Sequence, residues 1–304
     1  MSDSHMHQTI PETSQLHRTR LGLAFGLIGV IIFGGTLPMM RIAVGELDVA
    51  FITAGRAAAA GFAAIALLAV TRSRWPTREE RFPLILIAIT LVAGFPFFAT
   101  LAMVYAPASH GGVVLGIMPL STAAISVALA GERPSPGFWL CALAGSAIVL
   151  VASLRESSEG LTLGDLSLLG AIISASTGYV LSGKMARNMP GWAVISWALV
   201  FSLPISVPLT LWTWPQAPEL VSLPVWAAFA YLALMSQFVG FFAWNKGLAM
   251  GGIARVGQMQ LLQTFVTLAL AAWLIGETID AETVGFAVAV VAIVGLGLRM
   301  RVQR

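Results

Sequence analysis

Charge is what this sequence lacks. Of 304 residues only 10% are Asp, Glu, Lys or Arg, while 58% are hydrophobic. A soluble domain carries about 25% charged residues. So few charges cannot solvate the surface of a globule this long. The composition excludes a disordered chain, a coiled coil and an ordinary soluble enzyme. Cysteine is nearly absent: Cys141 stands alone, which excludes a disulfide framework and a multi-thiolate metal site. Three of the four histidines precede residue 20 and His110 is the fourth. HExxH is missing, so neither a histidine metal site nor a serine–histidine catalytic pair is readable. No metal, no cofactor and no catalytic residue is expected. The net charge of +3 has the sign that attracts nucleic acid, and the placement of the basic residues has to decide whether that matters.

What the sequence has instead is long apolar runs. A membrane helix needs roughly 20 mostly apolar residues. Ten such runs fall at about 21–43, 49–71, 83–104, 108–130, 136–154, 163–184, 191–213, 224–246, 252–275 and 281–299. They predict an all-α integral membrane protein of ten spans. Strands of a membrane β-barrel alternate over ~10 residues, and these runs do not alternate. Residues 1–20 are polar and read as a tail with no fold of its own. The first run exceeds a signal-peptide core of about 7–15 residues, and no cleavage-type site follows it. Asp280 stands where the N-cap of the tenth helix is expected.

Basic residues give the orientation. Ten spans put both termini on one side. With that side cytoplasmic, only Arg155 lies in an outside loop and Arg41 and Arg56 lie within spans, leaving 14 of the 17 basic residues inside. The positive charge is therefore a topology signal, and no nucleic acid is expected as partner. The expected partners are a small-molecule substrate and membrane lipid, with the chain acting as a monomer.

The second half repeats the first. An offset of 145 aligns Leu115-Gly116-Ile117-Met118-Pro119 and Gly131-Glu132 with Gln260-Leu261-Leu262-Gln263-Thr264 and Gly276-Glu277. An offset of 143 aligns Gly35 to Arg41 with Gly178 to Lys184, and Pro83 and Pro224 each open the third run of their half. Five spans per repeat is an odd number, so the halves insert with opposite orientation, as in many secondary transporters. The expected division is a tail over 1–20, a first repeat over 21–154 and a second over 155–304.

Polar side chains inside a membrane tend to face the bundle interior. The clearest stripe is in the ninth run, where Gln260, Gln263, Thr264 and Thr267 share one helical face. Gln237 and Trp244 in the eighth run, Thr177 and Tyr179 in the sixth, and Met118 and Thr122 in the fourth are further cavity candidates. Thr36 in the first run and Phe95 and Phe97 in the third complete the set. The plainer reading of each Ser and Thr is interhelical hydrogen bonding, and of each aromatic, packing. Two readings of Arg56 stand: a structural one, in which it snorkels or clamps backbone carbonyls, or a partner for a substrate carboxylate. Gly34, Gly35, Pro96 and Pro119 supply hinges.

Phe33-Gly34-Gly35, Arg56, Ala102-Met103-Val104-Tyr105, and Pro119 followed by Glu132 with its echo Gly276-Glu277 together carry a resemblance. The chain resembles the drug/metabolite transporter superfamily, in particular its ten-span EamA-type members, over about residues 21–299. It departs from the pattern at Thr264, where the family usually has proline. The resemblance implies a bacterial inner-membrane protein that transports small organic metabolites, often by export, and the superfamily includes amino-acid exporters.

Gly178 to Lys184 fits G-x4-G-K, but Met185 replaces the Ser or Thr that holds magnesium, and the segment lies inside an apolar run. ATP is therefore not an expected partner. All 14 acidic residues lie in tails, loops or span ends, whereas proton-coupled carriers usually hold an ionisable residue within the membrane. His110 is the candidate proton site. The reading that results is export of small amphipathic metabolites, foremost amino acids including aromatic ones. Alternating access through a central cavity, running as uncoupled facilitated diffusion, would perform it. The alternatives are a drug or cation exporter, a His110-dependent proton antiporter, and a non-transporting receptor or scaffold.

Overall fold

The computed structural model describes residues 12–130, 133–156, 161–251, 256, 258–299 and 302–303. Each of the ten apolar runs carries helix. The first holds α1 (Glu12–Gly34) and α2 (Thr36–Ala43), and the second α3 (Val49–Val70). The third holds α4 (Arg78–Ile87), a π-helical turn (Ala88–Gly94) and α5 (Phe95–Tyr105); the fourth holds α6 (Ala108–Leu115) and α7 (Met118–Ala130). Then come α8 (Pro136–Glu156), α9 (Leu163–Met185) and α10 (Gly191–Trp212). The eighth run holds α11 (Leu223–Ala230), a second π-helical turn (Tyr231–Val239) and α12 (Gly240–Gly251). A 3-10 turn (Gln258–Gln260) leads into α13 (Leu261–Ile275), and α14 (Ala281–Arg299) follows. The strand pairing described is two residues long, Arg133–Pro134 against Val302–Gln303. The motif residue Glu132 lies outside the described residues.

Six helical segments are long and apolar enough to cross a membrane, and a seventh if α6 and α7, bent by 41°, count as one. Three shorter apolar helices, Trp139–Ala152, Leu261–Ile275 and Ala281–Gly297, accompany them. The helix of the first run begins at Glu12, inside the stretch expected to have no fold of its own, while the apolar span starts at Arg20. No proline or glycine interrupts 12–21, so polarity ends the apolar face there without ending the helix.

Local chemistry fixes several helix starts. Asp48 accepts from the Ala50 N–H at 2.7 Å, and Asp280 from the Thr283 N–H at 2.7 Å. Thr77 with Glu80 and Thr162 with Asp165 form capping boxes. Gly276 ends α13 at φ 72°, a left-handed conformation that glycine adopts without a Cβ penalty.

The packing is reciprocal between halves. The first run packs on the eighth and the third on the sixth, while the second meets the seventh, the fourth the ninth and the fifth the tenth. Exchanging the halves leaves this pattern unchanged. The core between them is alanine-rich and aromatic, with Phe33, Phe241 and Trp244 in ring contact. Outward positions carry Leu211, Trp212 and Trp273 at 70–85% exposure. Such a surface suits hydrocarbon and its interface, where tryptophan concentrates.

Candidate functional site

The ninth and fourth runs meet at an enclosed cavity. Gly112, Leu115, Met118, Gln260, Gln263, Thr264 and Thr267 line it. All four residues of the glutamine–threonine stripe therefore converge on one space with Met118. The fourth run bends by 41° beside the cavity, between α6 and α7, with Pro119 in the first turn of α7. The 3-10 turn at Gln258–Gln260 interrupts the ninth run at the same level as the lining residue Gln260. The cavity volume is about 10 Å³, room for about one water. Ligand pockets run to roughly 300–1,000 Å³. The conformation is closed around this point. Gln260 has the Met118 sulfur at 3.9 Å, and the Tyr179 ring packs on Trp244.

Arg56 forms a second polar cluster. It is 1% exposed and donates through Nη2 to the Ser236 hydroxyl at 3.1 Å. Ser236 shares a 2.8 Å hydrogen bond with Thr36. The Arg56 Nε and Nη1 have no hydrogen-bond partner. The described partner of the side chain is thus a hydroxyl of the eighth run rather than a backbone carbonyl. Thr267 connects the two clusters, lining the cavity and donating to the Gly34 carbonyl at 3.0 Å.

The end of the bundle that holds residues 44–48 is tied by polar contacts. Glu46 accepts from the Ser222 N–H and hydroxyl at 2.6 and 2.7 Å. Those two bonds hold its carboxyl below the usual carboxylate range. Glu277 accepts from the Ala108 and Ser109 N–H groups at 2.8 and 2.9 Å, placing negative charge at the start of α6. His110, two residues on, pairs with Asp165 at 2.8 Å, and both are buried. The histidine therefore has an acidic partner, which nothing at a separation of 55 residues discloses. Arg155 and Glu282 pair at the same end. A groove of about 450 Å³ opens there between residues 46–48 and 213–221.

Other candidates stand elsewhere. Gln237 donates to the Val92 carbonyl at 3.3 Å, joining one π-helical turn to the other. Trp244 is buried with its indole N–H unpartnered. Thr122 is also unpartnered, and neither residue lines the cavity. Thr177 spends its hydroxyl on the Ile173 carbonyl of its own helix at 2.8 Å. Phe95 packs against the core. Phe97 is 41% exposed and meets the Phe98 ring edge-on outside the cavity. Phe95 and Phe97 stand two residues apart on one helix and so point to different faces. The expected hinges lie at helix interruptions: Gly35 between α1 and α2, Pro96 directly after the π-helical turn, and Pro119 after the α6–α7 bend. Gly34 lies against Val266, where a Cβ would come within 2.4 Å of the valine Cγ1. Sequence reasoning missed Asp165 and Asn245. The latter is 1% exposed and donates to the Gly191 carbonyl at 2.9 Å.

Comparison with known proteins agrees with this architecture. A family model described as the EamA-like transporter family matches twice, over residues 20–154 and 162–298. The uncharacterized transporter YdeK of Bacillus subtilis (strain 168) is 39% identical over 284 residues, covering 93% of this chain and 99% of its own. The uncharacterized transporter YyaM of the same organism is 21% identical, covering 82% and 84%. A protein of known crystal structure superposes with a TM-score of 0.62 at 20% identity, covering 92% of this chain and 96% of that one, a likeness of fold alone. With two matched repeats and a full-length relative, the chain belongs to the EamA-like transporter family and is a multi-pass membrane transporter.

Proposed function

We propose that the chain is a ten-span exporter of small amphipathic metabolites, foremost amino acids including aromatic ones, in the bacterial inner membrane. Its substrate site is the cavity between the fourth and ninth runs. The observation that carries the reading is the convergence of the Gln260 and Gln263 amides with Thr264 and Thr267 on that one space. Neutral amides can donate to a carboxylate and accept from an ammonium group. A zwitterion suits them, whereas a phosphate would call for a cluster of cations. Export runs by alternating access, with the closed cavity as one stage.

Contacts between loops and span ends support the ten-span topology, because each joins segments that the topology assigns to one side. Glu46–Ser222, Glu277–Ala108 and Arg155–Glu282 each join loops or span ends assigned to the outside. Arg133–Pro134 with Val302–Gln303, Lys184 with the Leu129 carbonyl, and Lys246 over the Phe25 ring each join chain assigned to the inside.

The test is uptake of leucine, phenylalanine and tryptophan by the purified chain in liposomes. Saturable uptake is expected, with KM raised about 2–10-fold in Gln260→Ala and in Gln263→Ala, the worth of one hydrogen bond each. Unchanged KM in both variants would remove this site, and no amino-acid uptake by wild type would remove the substrate class.

The His110–Asp165 pair favours a second reading, proton antiport. Uncoupled transport predicts the same rate with and without an imposed pH gradient. Acceleration by the gradient that vanishes in His110→Asn would select the antiporter.

A further inference from the structure

An ionised side chain taken out of water is costly unless it is paired and fully hydrogen-bonded. Arg56 is neither. Its guanidinium has five donors. One reaches Ser236, and Nε and Nη1 reach nothing. No described carboxylate pairs with it; the described ion pairs are Arg74–Glu80, His110–Asp165 and Arg155–Glu282. Thr53, one turn earlier on the same face of α3, is 8% exposed and its hydroxyl is unpartnered too. Two unsatisfied polar groups on one buried face of a membrane helix describe a place for an acceptor that arrives from elsewhere.

The chemistry of that acceptor can be narrowed. A planar guanidinium fork matches the two oxygens of a carboxylate. One cation balances one negative charge. Arg41, the other basic residue within the first five runs, is engaged with the Met103 carbonyl, so no second cation is offered to a dianion. The cluster also adjoins the cavity. Thr267 of the cavity wall bonds the Gly34 carbonyl, and Thr36, two residues further, bonds Ser236 beside Arg56. The interruption between α1 and α2 lies between them.

We propose that Arg56, with Thr53 and Ser236, is the carboxylate subsite of the transported molecule. The inference rests on the cavity reading above. It assigns the substrate class as monocarboxylates whose remaining body and amino group lie toward Gln260 and Gln263. The arginine is the anchor and the amides are the adaptable end. The α1–α2 interruption at Gly35 is the flexible point across which the two are brought together.

The test compares L-phenylalanine and L-leucine with L-phenylalaninamide and L-leucinamide, using the full chain in liposomes and subtracting protein-free controls. Wild type is expected to prefer the acids roughly tenfold or more, the discrimination a charge-assisted contact supplies. Arg56→Gln should abolish that preference by lowering acid uptake while amide uptake stays unchanged. Arg56→Lys should keep part of it, and Thr53→Ala should raise KM for the acids alone. Equal transport of acids and amides by wild type would overturn the subsite and leave the exporter reading standing. So would an Arg56→Gln protein that elutes as wild type and keeps the preference. If Arg56→Gln fails to fold, the wild-type ratio and Arg56→Lys still decide. Transport of neither acids nor amides by wild type would overturn both readings together.

Discussion

Leu115 and Met118 in the first half occupy the repeat positions of Gln260 and Gln263 in the second, and all four line the same cavity. The backbone is matched between the halves in their third runs. Each third run contains a π-helical turn, Ala88–Gly94 and Tyr231–Val239, and these begin 143 residues apart. Each π-helical turn rests against a glycine of the opposite half, Gly178 on the first and Gly35 on the second. The side chains are not matched. The first half presents apolar groups to the cavity, and the second presents amides. A pseudo-symmetric frame can move in two equivalent ways, while an asymmetric lining can hold a molecule that is polar at one end and apolar at the other.

The matched glycine contacts offer the sharpest way to break the comparison. A Cβ on Gly178 would come within 2.3 Å of Leu91 Cγ and 2.8 Å of Thr90 Oγ1. Leu91 is 1% exposed and has nowhere to go. A Cβ on Gly35 would meet the Tyr231 hydroxyl at 2.5 Å, the far end of a side chain only partly buried. Gly178→Ala should therefore cost about 1–3 kcal/mol, the usual range for overpacking, and lower the thermal midpoint in detergent. Gly35→Ala should lower it less, since the tyrosine can swing aside by giving up its 2.6 Å bond to the Ile32 carbonyl. An equal or larger loss in Gly35→Ala would show that the tyrosine does not give way and that the two contacts are equally rigid.

Much of this frame could be read from residue order, because in a membrane the apolar run and the helix are nearly the same object. The repeat, the Gln260–Thr267 stripe and the Gly35 interruption were all legible for that reason. The π-helical turns were not: Ala88 to Gly94 contains no residue whose chemistry demands the wider turn, which tertiary packing selects. Asp165 read as one more carboxylate of the tails, loops and span ends, and only the packing of α9 against the start of α6 makes it a partner of His110. Arg56 was legible as a buried charge but not as an unpaired one, because pairing depends on which runs become neighbours.

The smaller and more selective effect concerns the lining itself. Gln263→Met copies the first half's side chain into the second. The swap nearly conserves volume, so stability should change by less than about 1.5 kcal/mol, while one amide is removed from the cavity. KM for a zwitterionic amino acid should rise about 2–10-fold, and an apolar substrate lacking the ammonium group should be unaffected. The informative variant adds Met118→Gln, which moves the amide to the opposite wall at the equivalent repeat position. If the cavity lies on the pseudo-two-fold axis and needs one amide there, the double variant recovers much of the lost affinity. Arg56, however, has no counterpart in the second half, where Leu199 stands at the offset of 143. If the amide must face a fixed direction relative to that arginine, the double variant stays as weak as Gln263→Met. Recovery would make the cavity symmetric in function as well as in frame. Failure to recover would tie the position of the amide to the arginine and make the asymmetry of the two halves the origin of substrate orientation.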